Sequence, residues 1–227
     1  MRVNTLKISR NDLKKRLEKN GITLQKVPWF QDAFFVEGTK NLGRMLEHFL
    51  GYFFVQDASS LLPPIVLAPK AGEMVLDLCA APGAKTTQMA QMMQNQGIIF
   101  ANESKIKRIS ILKGNLQRCG VMNTVLTHFD ARIFWQTKLK FEKILIDAPC
   151  SGSGTFISNP SIFGQLSEGL IKKLVHLQKT ILASAFFCLK EGGTIVYSTC
   201  SLDPRENEEV IDWAMKKFKF QIEEIKV

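Results

Sequence analysis

The sequence predicts an α/β fold, a parallel sheet with helices on both faces. Three observations predict it. From Glu73 onward, apolar strand-like runs alternate with helical segments. Loops of small residues follow several of those runs. The first sixty residues differ in texture, as a separate appendage would. The 227 residues, 45% apolar and 22% charged, suffice for one main domain with a small attachment.

Arg2 to Ile8 alternates as a short strand, and Asn11 to Asn20 reads as a basic helix stopped by Gly21. Two aromatic-rich strands follow, Ala33 to Glu37 and Tyr52 to Val55. Residues 1–60 therefore predict a small basic α+β appendage. Pro63, Pro64, Pro69 and Gly72 mark a boundary near 61–72, making 61–227 the main domain. There Met74 to Leu78 is a buried-strand run and Thr86 to Met93 a helix. Ile98 to Ala101 is the next strand, followed by the helix Lys105 to Arg118. Thr124 to Thr127 and Lys143 to Ile146 predict two more strands. Glu168 to Leu189 is a long helix, with apolar residues at 170, 171, 174, 177, 181, 182, 185, 186 and 189. Gly192 and Gly193 stop it, and Thr194 to Tyr197 is a fifth strand. Asp203 to Glu206 predicts a helix start, with Asp203 as N-cap, Pro204 first in the helix and Glu206 closing a capping box.

Composition excludes several classes. No apolar run reaches the roughly 18–20 residues of a membrane span. No secretory signal is expected from the opening residues. Five cysteines in no disulfide-like array predict a reduced, cytoplasmic setting. Without Cys-x-x-Cys pairs or His clusters, no metal is expected. The formal charge is +9, and it sits in blocks. Residues 1–26 carry eight Lys/Arg against two acids, and Lys105 to Arg118 carries five basics and no acid, whereas residues 201–227 hold five basics and seven acids. Such blocks suit a polyanion surface, although solvated helix faces account for them equally well.

Ligands of such sheets bind beyond the carboxyl ends of the strands, near the switch in strand order. The first strand of the main domain runs into Asp77-Leu-Cys79-Ala80-Ala81-Pro82-Gly83-Ala84-Lys85. This segment lacks both the dinucleotide fingerprint and the glycines of a phosphate loop. A small-residue loop without a phosphate cradle suits a nucleoside ligand lacking pyrophosphate, of which S-adenosylmethionine is the common one. Glu103, just past the second strand, is placed to accept hydrogen bonds from both ribose hydroxyls, and Asp130, past the third, repeats that logic for the adenine amino group. Two further strand ends carry cysteines, in Asp147-Ala-Pro-Cys150 and in Ser198-Thr-Cys200. A single buried cysteine is usually a small hydrophobe; two at neighbouring strand ends, flanked by polar and small residues, converge on the ligand crevice.

These segments resemble the RNA cytosine-5 methyltransferases of the Nol1/Nop2/Sun (RsmB/NOP) family, and the whole chain is most similar to the archaeal tRNA enzymes. The resemblance includes Arg2-Val-Asn-Thr5, Gln56-Asp-Ala-Ser-Ser60 and Glu206-Asn-Glu208. It implies a Rossmann-like class I S-adenosylmethionine-dependent methyltransferase sheet. It also implies methylation of cytosine C5 in RNA, with tRNA as the expected substrate and rRNA as the alternative. Cys200 matches the nucleophile and Cys150 the cysteine that helps expel product. Lys85 and Asp147 match groups that hold the target cytosine, Asp147 also bordering the cofactor. Cys79, Ala80, Ala81, Pro82, Gly83, Ala84, Lys85, Glu103, Arg108 and Asp130 match the cofactor shell. Three departures stand out. Ala84 replaces a usual glycine, Ser158 and Gly164 fall where basic and aromatic residues often lie, and the chain ends at Val227 inside an expected sixth strand, Phe220 to Lys226. The last antiparallel strand of such sheets is then missing, leaving the fifth with an unpaired edge.

C5 of cytosine is too weak a nucleophile to take a methyl group directly. Adding a thiolate to C6 makes it reactive, provided the base leaves its stack. Two rivals remain at this stage. One is a DNA cytosine methyltransferase using Pro149-Cys150; the other is a silent RNA-binding homologue that keeps the fold.

Overall fold

Alternating apolar runs need neighbours that bury both their faces, and in the computed structural model, which describes residues 1–39, 41–157 and 159–225, they find them in a five-stranded parallel sheet. Preceding it are β1 (Arg2–Val3), α1 (Arg10–Lys19), β2 (Thr23–Lys26), β3 (Phe34–Glu37), α2 (Leu46–Phe49) and β4 (Phe53–Phe54). β1 pairs antiparallel with β4, and β2 with β3. Leu13, Leu17, Phe34 and Phe53 form the centre of this part's own apolar cluster. The expected strand over Arg2 to Ile8 shrinks to two residues, because Asn4 turns the chain: its carbonyl accepts the amides of Lys7 and Ile8. β2 was not legible, being polar and mostly exposed.

The segment expected as a linker contains α3 (Leu62–Leu67), with its prolines in the first turn, where no amide donor is required. Then come β5 (Met74–Asp77), α4 (Ala84–Met92), β6 (Ile98–Asn102), α5 (Ile106–Cys119), β7 (Thr124–Thr127), β8 (Phe141–Asp147), α6 (Glu168–Cys188), β9 (Leu189–Ser198) and α7 (Glu208–Met215). The sheet order is β7-β6-β5-β8-β9, every pairing parallel. The order therefore reverses at β5, and the crevice opens between the carboxyl ends of β5 and β8. Leu76, Ile144, Ile146, Ile181, Leu182 and Ala185 form the core on one face, and Val75, Met89, Ile99 and Leu145 on the other.

Three expectations are corrected here. Gly192 and Gly193 do not separate helix from strand: α6 ends at Cys188 and β9 begins at once, passing through both glycines. Asp203 caps only a 3-10 turn, Pro204–Glu206, and the Glu206 side chain points inward instead of closing a capping box. The sixth strand is not formed over 220–225, and Lys226 lies outside the described residues. A strand needs a partner's backbone, and this segment has none; Phe220 instead packs its ring 5.0 Å from that of Phe186. A cavity of about 630 Å³ separates the segment from the outer edge of β9. Among the described residues no helix is long and apolar enough to cross a membrane.

Candidate active site

The strand ends deliver the chemistry. Beyond β5, Gly83 adopts φ +104°, and a Cβ there would lie 2.9 Å from Leu112 Cδ1, so the loop hugs α5 before α4 starts. Lys85, in the first turn of α4, reaches across the switch point to β8: its Nζ donates to Asp147 Oδ2 at 2.6 Å and to Ser60 Oγ at 3.4 Å. Ser198, the last residue of β9, donates to Asp147 Oδ1 at 2.9 Å. Asp147 thus stands at the join of three strands with both oxygens oriented.

One step further out, Cys150 Sγ and Cys200 Sγ are 3.2 Å apart, and the Cys200 amide donates to Cys150 Sγ at 3.3 Å. Cys200 is exposed and Cys150 half-buried. The hydrogen bond from Cys150 is the largest influence on Cys200 and brings its thiol down to about 7, while the same bond and burial push Cys150 up. Lys85 adds a smaller lowering of Cys200, and Asp147 opposes it. A proton held by the inner sulfur favours the thiolate form of the outer one. Burial pushes the Cys79 thiol well above its usual range, which leaves it a structural residue. Cys119 and Cys188 are buried.

The expected cofactor shell lies on the other side of the loop. Glu103 is 3% exposed; its Oε1 accepts the Lys105 amide at 2.9 Å, and its Oε2 lies 3.0 Å from Arg108 Nη1. Arg108 also donates to the Ala81 carbonyl, so its guanidinium closes over Glu103. Asp77, Cys79, Ala80, Ala81, Pro82, Ala84, Lys85 and Asp147 line a small cleft of about 20 Å³. Asp77 is fully buried with Oδ2 accepting Thr86 Oγ1 at 2.7 Å and Oδ1 unpartnered; burial raises its carboxyl to about 7. Small residues, an unpartnered carboxylate oxygen and an acid at the second strand end fit an adenosyl amino acid. Asp130 stands just past the end of β7. It caps a 3-10 turn (Ala131–Thr137), and Arg132 engages both of its oxygens and holds its carboxyl below the usual range.

Residues 64–227 match the family described as 16S rRNA methyltransferase RsmB/F, and residues 1–58 match the N-terminal domain of 16S rRNA methyltransferase RsmF. The chain belongs to the RsmB/F family. The ribosomal RNA small subunit methyltransferase F of Shewanella sediminis is 43% identical over 98% of this chain and 48% of its own. That of Pectobacterium carotovorum is 42% identical, over 96% and 46%. The chain spans about half the length of the curated relatives it matches. A solved methyltransferase homologue from Pyrococcus horikoshii superposes with TM-score 0.86 at 43% identity, covering 96% of this chain and 69% of the other. NSun6 from the same organism, solved with SFG, gives 0.90 at 25% identity, covering 100% and 82%. The fold is therefore the Rossmann-like class I S-adenosylmethionine-dependent methyltransferase sheet.

In this RsmB/F chain two further groups support the site. Arg2 is buried, and its guanidinium donates to Gln91 Oε1 at 2.6 Å, to Gln56 Oε1 at 3.1 Å, to Thr87 Oγ1 and to the Ala84 carbonyl. It lies 5.8 Å from the centre of the Phe54 ring, and burial lowers it to about 10. Through it the appendage grips α4, the helix that carries Lys85. Arg2 and Gln56 sit in segments that carried the family resemblance, but nothing in the sequence joined them. The basic blocks divide. Lys7 donates to the Leu50 and Arg118 carbonyls, Arg10 to that of Gln31, and Arg118 to those of His48 and Phe53. Lys15, Lys19, Lys105, Lys107 and Lys113 face solvent. Ser158 lies outside the described residues.

Proposed function

We propose that this chain transfers a methyl group from S-adenosylmethionine to C5 of a cytosine in small-subunit ribosomal RNA, through a covalent bond from Cys200 to C6. The observation that carries it is the sulfur pair, 3.2 Å apart with one sulfur exposed and its thiol lowered to about 7, beside the Lys85–Asp147 pair. The rRNA substrate is preferred over tRNA because the curated relatives, identical at more than four positions in ten, are small-subunit rRNA enzymes.

S-adenosylmethionine supplies the electrophilic methyl group; Glu103 and the Cys79–Lys85 loop would hold it. Cys200 as thiolate adds to C6, and the electron pair displaced toward C5 makes that carbon nucleophilic. Asp147 accepts from the exocyclic amino group of the base, and Lys85 faces the charge that develops on the ring. After methylation, water takes the C5 proton, the electron pair left at C5 re-forms the C5–C6 double bond, and the C6–sulfur bond breaks with its pair on sulfur, returning Cys200 as thiolate. Cys150, within hydrogen-bond reach, assists this expulsion. Residues 1–60 supply the basic appendage that holds RNA, and a cytoplasmic setting suits free thiols.

The test is bisulfite sequencing after incubation of the chain with S-adenosylmethionine and, in parallel, 16S rRNA, small ribosomal subunits and tRNA. Methylation confined to 16S rRNA or its subunit supports the reading. Methylation of tRNA alone returns the tRNA substrate, and methylation of neither leaves a binding homologue.

A further inference from the structure

Glu206 is fully buried, and no ion pair among the described residues includes it. An isolated buried carboxylate is costly unless donors surround it. Here four do. Oε1 accepts the Ser151 amide at 3.0 Å and Gln178 Nε2 at 2.9 Å, and Oε2 accepts the hydroxyls of Ser151 and Ser201.

Ser151 follows Cys150 and Ser201 follows Cys200, and their hydroxyls are 3.1 Å apart. Gln178 also donates to the Pro149 carbonyl at 2.9 Å, one residue before Cys150. One carboxylate therefore gathers both cysteine-bearing loops from behind. It touches neither sulfur. Other bonds join the same loops, including the Gly154 amide to the Cys200 carbonyl and the Leu202 amide to Ser153 Oγ, both at 2.9 Å.

We propose that Glu206 is the positioning residue of the cysteine pair: by clamping Ser151 and Ser201 it sets the separation of Cys150 and Cys200. The inference rests on the reading of Cys200 as nucleophile. The Ser151 amide and the Gln178 Nε2 group present donors to Oε1, whereas the two hydroxyls at Oε2 can donate or accept. A glutamine keeps the shape and one acceptor, and the serine hydroxyls can reverse to meet its amide, so Glu206→Gln is a partial rescue of Glu206→Ala.

The experiment measures iodoacetamide labelling of Cys200 against pH in the full chain, read by mass spectrometry of its peptide. It compares wild type, Glu206→Ala, Glu206→Gln and the double variant Ser151→Ala/Ser201→Ala. The expected midpoint is about 7 in wild type. It rises toward the ordinary thiol value of about 8.5 in Glu206→Ala and in the double variant, with Glu206→Gln between. Affinity for S-adenosylmethionine, whose cleft Glu206 does not line, is expected to stay unchanged. A wild-type midpoint in folded variants overturns the proposal and returns Glu206 to core stability alone. If Glu206→Ala does not fold, the double variant, which retains the carboxylate, decides by the same criterion. An altered midpoint with no RNA methylated by wild type leaves the positioning role standing and removes the substrate reading.

Discussion

Cys150 and Cys200, fifty residues apart in sequence, hold their sulfurs 3.2 Å apart at the ends of two adjacent parallel strands. The pairing of Ile146 with Tyr197 and of Asp147 with Ser198 places both loops at one level, so the register of β8 against β9 creates the pair.

The two cysteines are expected to fail differently. Cys200→Ala should abolish methyl transfer and any covalent protein–RNA complex. Cys150→Ala should still attack and release poorly, accumulating a complex that survives denaturing electrophoresis only when S-adenosylmethionine is supplied. The reverse pattern would make Cys150 the nucleophile, as in the DNA-enzyme arrangement.

Thiol reactivity should follow pH with a definite sign. The Cys200 thiol is lowered to about 7, so the thiolate, and with it the alkylation rate, should rise through pH 7 and level off well below pH 9. Because the bond from Cys150 is the largest cause, Cys150→Ala should move the midpoint upward. An unmoved midpoint would show that the sulfur contact does not set it.

Glu103→Ala should weaken S-adenosylmethionine binding by about 1.5–3 kcal/mol, or about 10- to 150-fold in Kd. Ala84→Gly should bind at least as well as wild type. Calorimetry with unchanged affinity in folded Glu103→Ala would remove Glu103 from the cofactor site.

RNA affinity should fall steeply with salt if the exposed lysines hold phosphates. Replacing Lys105, Lys107 or Lys113 should each flatten the log–log slope by about 0.7–0.9. Lys7→Met should instead lower stability more than the slope, since Lys7 caps backbone carbonyls. Filter binding across a salt series separates the two.

Arg2→Met should destabilise the chain by at least about 1.5–3 kcal/mol, the loss of one charge-assisted hydrogen bond, because Gln91 and Thr87 would remain buried beside an apolar side chain. Urea unfolding measures it, and a cost near zero would show that the appendage grips α4 by other contacts.

The alternation of strands and helices, the strand-end loops and the candidate side chains they carry were legible in the order of residues. Those are local properties: apolar period, glycine placement, and a cysteine or acid at the end of a run. The departures were local too, at Gly192, Glu206 and Phe220, where tertiary contacts overrode a propensity. Folding was needed to bring β5 beside β8 and Lys85 to Asp147, and to turn Glu206 and Arg2 inward. It also assigned Lys7 to the backbone carbonyls of Leu50 and Arg118. The reason is that strand order and side-chain partnership are long-range choices. They are settled by which arrangement buries the apolar faces of the strands while leaving few buried polar groups unpaired, between partners far apart in the sequence.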